Sequence, residues 1–321
     1  MKNSMANTLS QHSSLTAAHG RNRVGLLGLL AIFLCGFASS ASAGSWTLVN
    51  TAPSGAKMAG IRAGTTEMWG RDSAGDTYQY ISKTNTLELV TTSPSMSGIT
   101  VGDGKTLWGL STAASNNIYE FNFKTKAFDN VSGTLTSIGA GAEGVWGVNS
   151  ANGHVYAYNT STKSFEPPPH GEPSEFFESI YVGDYGIGPW ALDSSNNAWL
   201  FNTTTGYFDE TNGVVTSIAV GSGEVWGITS ADTVWMYDPG TEKWVEPDTS
   251  ARLVEISLGS DSQIWGVNSS GEVYKFNTNP KIMRFQLVSP QPPESIYLVR
   301  VSAGGAGIFA LAGSGNVYKY K

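Results

Sequence analysis

One frame recurs seven times along this chain, at a spacing of roughly forty residues. It reads I-x-x-G, then W-G, then an aromatic-x-aromatic pair, then one further large residue. The W-G step is Trp69-Gly70, Trp108-Gly109, Trp146-Gly147, Trp190-Ala191, Trp226-Gly227, Trp265-Gly266 and, in altered form, Phe309-Ala310. The glycine upstream is Gly64, Gly102, Gly141, Gly183, Gly221, Gly259 or Gly304. A fixed period of this length means that each unit buries its apolar face only against its neighbours. Architecture is therefore constrained before any chemistry is considered.

The units read as strands. After each W-G step two aromatics fall two residues apart: Tyr78/Tyr80, Tyr119/Phe121, Tyr156/Tyr158, Trp199/Phe201, Trp235/Tyr237, Tyr274/Phe276 and Tyr318/Tyr320. A period of two places both rings of a pair on one face of a strand. Length differences between units fall in polar, Gly/Asn-rich stretches such as Ser111–Asn117 and Asn149–Gly153, where a hairpin turn absorbs them. A later large residue follows each pair except the last (Leu87, Phe128, Phe165, Phe208, Trp244, Phe285). Four short strands per unit predict an all-β, seven-bladed β-propeller, with six blades as the alternative. The seventh unit reaches Tyr320 after its third strand. Trp46-Thr47-Leu48-Val49, which looks like the fourth-strand segments, is expected to complete that unit and close the ring, leaving no exposed edge.

The only cysteine, Cys35, lies outside the repeats. Arg21 and Arg23 precede the apolar stretch Val24–Phe37, and Ala41-Ser42-Ala43 follows. A basic flank, a short apolar core and an A-x-A site predict a secretory signal peptide within residues 1–43, cleaved after Ala43, against a lipoprotein anchor on Cys35 as the rival, which Leu34 disfavours. The stretch is shorter than the ~20 residues a spanning helix needs. Residues 44–321 are then one exported domain, extracellular or, in a Gram-negative host, periplasmic. Removing the first 43 residues leaves 16 basic against 26 acidic residues, a net charge of −10. An acidic surface without a basic run excludes nucleic acid and anionic bilayers as natural partners.

Gly144–Tyr158, with its Gly-Val-Trp-Gly-Val-Asn-Ser core, and Ile264–Phe276 resemble the tectonin repeat. The resemblance runs from about Trp46 to Lys321. Units four and seven depart from it by losing the W-G glycine, and the best-known members have six blades. The resemblance implies a glycan-binding propeller that recognises microbial or other foreign surfaces, with lipopolysaccharide or O-methylated sugars among the ligands.

Aromatic faces suit sugars, because the C–H face of a pyranose stacks on a ring. A ring repeated at one strand position in every unit nevertheless reads first as inter-blade packing. The W-G tryptophans and the aromatic pairs are accordingly assigned to the core, and the I-x-x-G glycines to turns or close packing. Polar residues at strand ends are the better binding candidates. Three residues after the W-G aromatic stand Asp72, Ser111, Asn149, Asp193, Thr229, Asn268 and Ala312; beside the I-x-x-G glycines stand Asp103, Asp184, Tyr185, Ser222 and Asp261. From these, Asp103, Asn149, Asp184, Tyr185, Asp261 and Asn268 are the expected ligand-binding set, against turn capping as the competing role. Arg62 and Arg71 are candidates to anchor an anionic glycan, against a role as solvated surface charge.

An enzyme is hard to assemble from what remains. His154 and His170 are the only histidines after residue 43 and fall in different units. No metal-ligand spacing, nucleophile elbow or cofactor motif is present in the sequence. Asn130, Asn159, Asn202 and Asn268 sit in N-x-S/T sequons, relevant only in a eukaryotic host. The sequence therefore points to a secreted lectin with several sites and no cofactor. A protein-binding scaffold is the alternative, and a propeller lyase or glycosidase a third reading.

Overall fold

The computed structural model describes residues 44–321 other than 103, 113–115, 169–174, 184–186, 260–261 and 294–295. His170 and Cys35 lie outside the described residues. Among those described, 28 strands form five four-stranded sheets and one eight-stranded sheet. Within each four-stranded sheet the strands pair antiparallel in chain order, as in Ser137–Gly141, Gly144–Asn149, His154–Asn159 and Ser164–Glu166. The eight-stranded sheet is two such units joined edge to edge. One begins at Met58–Ala63, the other at Leu298–Gly304, and Trp46–Ala52 lies between them. The first strands of successive units neighbour one another in cyclic order, that of unit seven returning to that of unit one. The result is a closed, propeller-like ring.

Trp46–Ala52 does more than complete the last unit. Trp46 to Val49 pair antiparallel with Tyr320 to Val317, as the sequence predicts. Asn50 to Ala52 then pair in parallel with Thr86 to Glu88 on the outer strand of unit one. One strand therefore fastens both sides of the closure with main-chain hydrogen bonds. The Asn85 side-chain amide reinforces it, donating to the Leu48 carbonyl at 2.9 Å.

The core is a set of seams between units. In every seam the W-G aromatic of one unit meets the second ring of the aromatic pair in the next. Centroid separations run from 4.6 Å for Trp108–Tyr158 to 5.3 Å for Trp265–Tyr320, and Tyr80–Phe309 at 4.8 Å closes the circle. Most of these contacts are edge-to-face or tilted, the arrangement that ring quadrupoles prefer. Trp69, Trp108, Trp190, Trp226 and Trp265 are all at most 2% exposed, so their assignment to the core holds.

The glycine after each tryptophan admits a neighbour from the same unit, not from the next blade. A Cβ on Gly227 would lie 2.7 Å from Val215 Cγ1, and one on Gly266 would lie 2.4 Å from Leu253 Cδ1. Those apolar residues stand just ahead of each first strand and plug the gap. The I-x-x-G glycines, by contrast, serve approach between units: a Cβ on Gly141 would meet the Gly183 carbonyl oxygen at 2.2 Å.

Candidate functional site

The outer halves of the seams open into grooves, and three of these are built from equivalent residues. Between units two and three, Ser132–Leu135 faces Asn149, Tyr156 and Phe165 around a cavity of ≈ 250 Å³. Between units four and five, Thr211–Val215 faces Thr229, Thr233, Trp235 and Trp244 around ≈ 530 Å³. Between units five and six, Asp248–Leu253 faces Asn268, Tyr274 and Phe285 around ≈ 150 Å³. Each groove thus takes the W-G-plus-three residue, the first ring of the aromatic pair and the later aromatic from one unit. The facing wall is the outer edge of the unit before it, continued by the segment that leads into the groove unit's own first strand.

The first ring was assigned to the core; Tyr78 and Tyr318 are indeed buried, but in units two to six the structure corrects the reading. Tyr119, Tyr156, Trp199, Trp235 and Tyr274 are only half-buried, whereas the second rings Phe121, Phe201, Tyr237 and Phe276 are buried. Both rings of a pair do point to the same face of the strand. The first, however, stands at the strand end, where the seam has widened beyond the reach of the neighbouring tryptophan.

The widest groove owes its shape to local backbone. The outer strand Tyr207–Val214 bulges between Glu210 and Gly213, so that Thr211 and Asn212 are extra residues in the ladder. Asn212 takes the left-handed conformation at φ 55°, which asparagine tolerates. Gly213 then lies against the Trp244 indole, where a Cβ would come 2.2 Å from Nε1. Trp244 is anchored because its indole N–H donates to the Thr211 hydroxyl at 3.1 Å, and that hydroxyl donates to the Ala198 carbonyl at 2.7 Å. Trp235 is held at its edge by donation to the Thr233 hydroxyl at 3.0 Å. Val214 is 61% exposed on the facing wall. Two indoles, an apolar edge and several hydroxyl and amide groups thus converge on one depression.

The polar residues of the expected set are divided. Asp103, Asp184, Tyr185 and Asp261 lie outside the described residues. Asn149 and Asn268 both line grooves, and both also cap their hairpins. Asn149 Oδ1 accepts the Ala151 N–H at 3.0 Å while its amide donates to the Thr134 hydroxyl at 3.3 Å. Asn268 Oδ1 accepts the N–H groups of Ser270 and Glu272 at 3.0 and 2.9 Å, and its amide donates to Glu272 at 2.7 Å. The same position in unit four is Asp193. Burial pushes its carboxyl up, but bonds from the Asn197 side chain and N–H, the Trp199 indole and the Ser195 N–H outweigh that and hold it below the usual range. Turn capping is thus a role of this position in units one, three, four, five and six.

Asp248, missed by the sequence reading, fixes one groove wall. It accepts the Phe285 N–H at 2.8 Å across the seam, and the Ser250 hydroxyl and N–H at 2.6 and 3.0 Å. Burial raises its carboxyl, yet these bonds win and keep it below the usual range. Of the two arginine candidates, Arg62 faces the central channel of the ring and Arg71 lies on the adjoining strand, apart from the grooves. His154 begins the third strand of unit three, opposite Asn149.

Among the described residues no helix is long and apolar enough to cross a membrane. A family model described as the Tectonin domain matches residues 38–168 and 176–321. Tectonin-1 of Physarum polycephalum is 30% identical over 63 residues, 20% of this chain and 27% of that protein, so the match spans about a quarter of the relative. A selenomethionine-substituted virginiamycin B lyase from Staphylococcus aureus aligns at a TM-score of 0.64 and 13% identity, over 87% of this chain and 99% of that one. YCF48 bound to D1 peptide aligns at 0.61 and 12%, over 86% and 96%. At such identities the two structures share a fold with this chain.

Proposed function

The chain belongs to the tectonin family, and from that membership we propose that it is a non-catalytic carbohydrate-binding protein, a seven-bladed propeller holding sugars in the grooves between blades. The observation that carries this reading is the recurrence of one constellation in three grooves. Each has a half-buried ring, a second aromatic beneath it and polar groups on the hairpin. A pyranose needs an apolar platform for its C–H face and directed partners for its hydroxyls, and the groove between units four and five supplies both. Shallow sites of this kind hold a sugar by about −4 to −8 kcal/mol each, and several on one rigid ring raise avidity by orders of magnitude on a repetitive surface. Such surfaces include bacterial polysaccharide and lipopolysaccharide. Asn149 and Asn268 are groove residues in this account, and Asp103, Asp184, Tyr185 and Asp261 are proposed from the sequence as further ligand contacts.

Export fits that role. Cleavage after Ala43 leaves Gly44 two residues ahead of the closing strand, so the released domain keeps its fastening intact. N-terminal sequencing of the exported protein should begin at Gly44; a start upstream of Arg21 contradicts export by cleavage. The function itself is tested by applying the mature protein to a broad glycan array and to whole bacterial cells. Binding to a family of related sugars is expected. No sugar binding, with tight one-to-one capture of a protein, hands the case to the scaffold reading; substrate consumption abolished by His154→Ala hands it to an enzyme.

A further inference from the structure

The first strands of the seven units alternate between core and channel. Their isoleucines (Ile61, Ile99, Ile138, Ile180, Ile218, Ile256) pack toward the seams, and a central cavity of ≈ 410 Å³ is lined by the residues on both sides of the last four and by Arg62 and Thr100 after the first two. Unlike the seams, this wall does not repeat. At the two channel-facing levels the units carry Gly60 and Arg62, Gly98 and Thr100, Ser137 and Gly139, Ser179 and Tyr181, Ser217 and Ala219, Glu255 and Ser257, and Arg300 and Ser302. Sequence drift toward small residues would leave an empty pore. Instead, two arginines and one glutamate stand among hydroxyl groups.

The charges do not balance. Arg300 Nε lies 3.1 Å from Glu255 Oε1 and takes up the only carboxylate among the described residues that line the cavity. Arg62 donates from Nη1 to the carbonyl of its own neighbour, Ile61, at 3.0 Å, and its side chain lines the channel. Arg71 adds a third positive charge within electrostatic reach of Arg300 and Arg62. After residue 43 the chain has five arginines, and three of them gather here in a protein of net negative charge. Water touches Arg62 through the channel while protein surrounds it, so its charge is accessible but poorly solvated. Burial and then Arg300 pull its pKa down to about 10, with Glu255 opposing, which still leaves it charged at neutral pH.

The hydroxyls point the same way. Ser302 Oγ accepts the Ala63 N–H at 2.8 Å, Ser257 Oγ the Ala303 N–H at 2.9 Å and Ser137 Oγ the Ile180 N–H at 3.2 Å. Each of these bonds ties one unit to the next and uses the oxygen as acceptor, so the hydroxyl hydrogen remains for donation. Among the described residues the channel is therefore rich in donors and carries more positive than negative charge. That is the complement of a ligand rich in acceptors and negatively charged.

We propose that the central channel is a second binding site, separate from the grooves, which takes a small carboxylate of the size of an acidic monosaccharide. Arg62 receives the carboxylate in its planar fork, Arg300 supports it while paired with Glu255, and the serine and threonine hydroxyls meet the sugar oxygens. The probes are galacturonate and galactose, which differ in the carboxylate, titrated calorimetrically into the purified protein. Galacturonate should bind one-to-one with the wild type and raise its melting temperature, at least tenfold more tightly than galactose at that site. Arg62→Gln should weaken galacturonate at least tenfold while leaving groove binding of neutral glycans unchanged. Without ligand it should melt at or above the wild type, because it removes a charge crowded by two others. If Arg62→Gln does not fold, Arg62→Lys keeps the charge without the fork and should still bind several-fold more weakly. Equal galacturonate affinity in the Arg62 variants, equal affinity for galactose, or no binding by about 10 mM overturns the proposal. The Tyr156→Ala/Trp235→Ala/Tyr274→Ala triple variant, which alters all three grooves, separates the two sites. Losing neutral glycans while keeping galacturonate upholds the channel, and losing both together contradicts a separate site.

Discussion

In units three, five and six the two rings of the aromatic pair stand two residues apart on one strand, yet the second sits in a seam and the first at the mouth of a groove. The seam ring meets the W-G aromatic of the adjacent unit in all seven junctions, a tryptophan in six and Phe309 in the seventh, with centroids 4.6–5.3 Å apart. The groove ring varies in type (Tyr156, Trp235, Tyr274), and its surroundings vary with it. Where packing alone is selected, a closed ring imposes one answer on every unit, because each must match two neighbours of the same shape. Where the chain meets solvent and ligand, the units are free to differ. Repetition marks the scaffold here, and departure from it marks the places where chemistry is possible.

That contrast predicts unequal costs. The largest should come from deleting residues 44–52, which removes the fastening of both unit seven and unit one. The melting temperature should fall by ~10 °C or more and unfolding should lose cooperativity. A deletion variant with wild-type stability would mean that the ring is held by its seams alone. Next is the seam itself: Trp226→Ala should cost about 3–5 kcal/mol in denaturant unfolding, through the cavity left against Phe276 and Phe285. The same change at Trp235, in the groove, should cost about 1–2 kcal/mol, since a half-buried ring leaves a smaller cavity.

Between these lies Asp248, polar but structural. Asp248→Ala should cost ~1–3 kcal/mol by stranding the Phe285 N–H. Its pKa is lower folded than unfolded, so its contribution is present above the unfolded value of ~3.9 and is lost as pH falls through the folded value. Acid unfolding of Asp248→Asn should therefore be shallower than that of the wild type below about pH 4. Identical acid limbs would show that this carboxylate does not hold the groove wall.

Much of the fold was legible because the period is strict. The W-G tryptophans, the four strands per unit and the pairing of Trp46–Val49 with the last unit all follow from residues that recur in register. The parallel bonds from Asn50–Ala52 to unit one were not legible, since they depend on where one strand end lands on a neighbouring sheet and leave no side-chain pattern. The split within the aromatic pairs was hidden for a related reason. Period two reports which face a residue is on but not how far the seam has opened at that level. Asn149 and Asn268 were found through their polarity at hairpins. Their partners Tyr156, Trp235 and Tyr274 were missed because repeated aromatics read as core. The bulged Asn212-Gly213 ahead of Val214 was the one local signal of a widened wall. The channel charges were visible only as single residues, and geometry alone brought Arg62 and Arg300 to one space.

The central claim is that the seams hold the ring while the groove rings hold the sugar. Its most direct test is the Tyr156→Ala/Trp235→Ala/Tyr274→Ala triple variant, titrated beside the wild type with the strongest neutral glycan from the array. A folded protein with a cooperative melt and at least tenfold weaker binding is the predicted result. Undiminished binding with all three rings removed would contradict it.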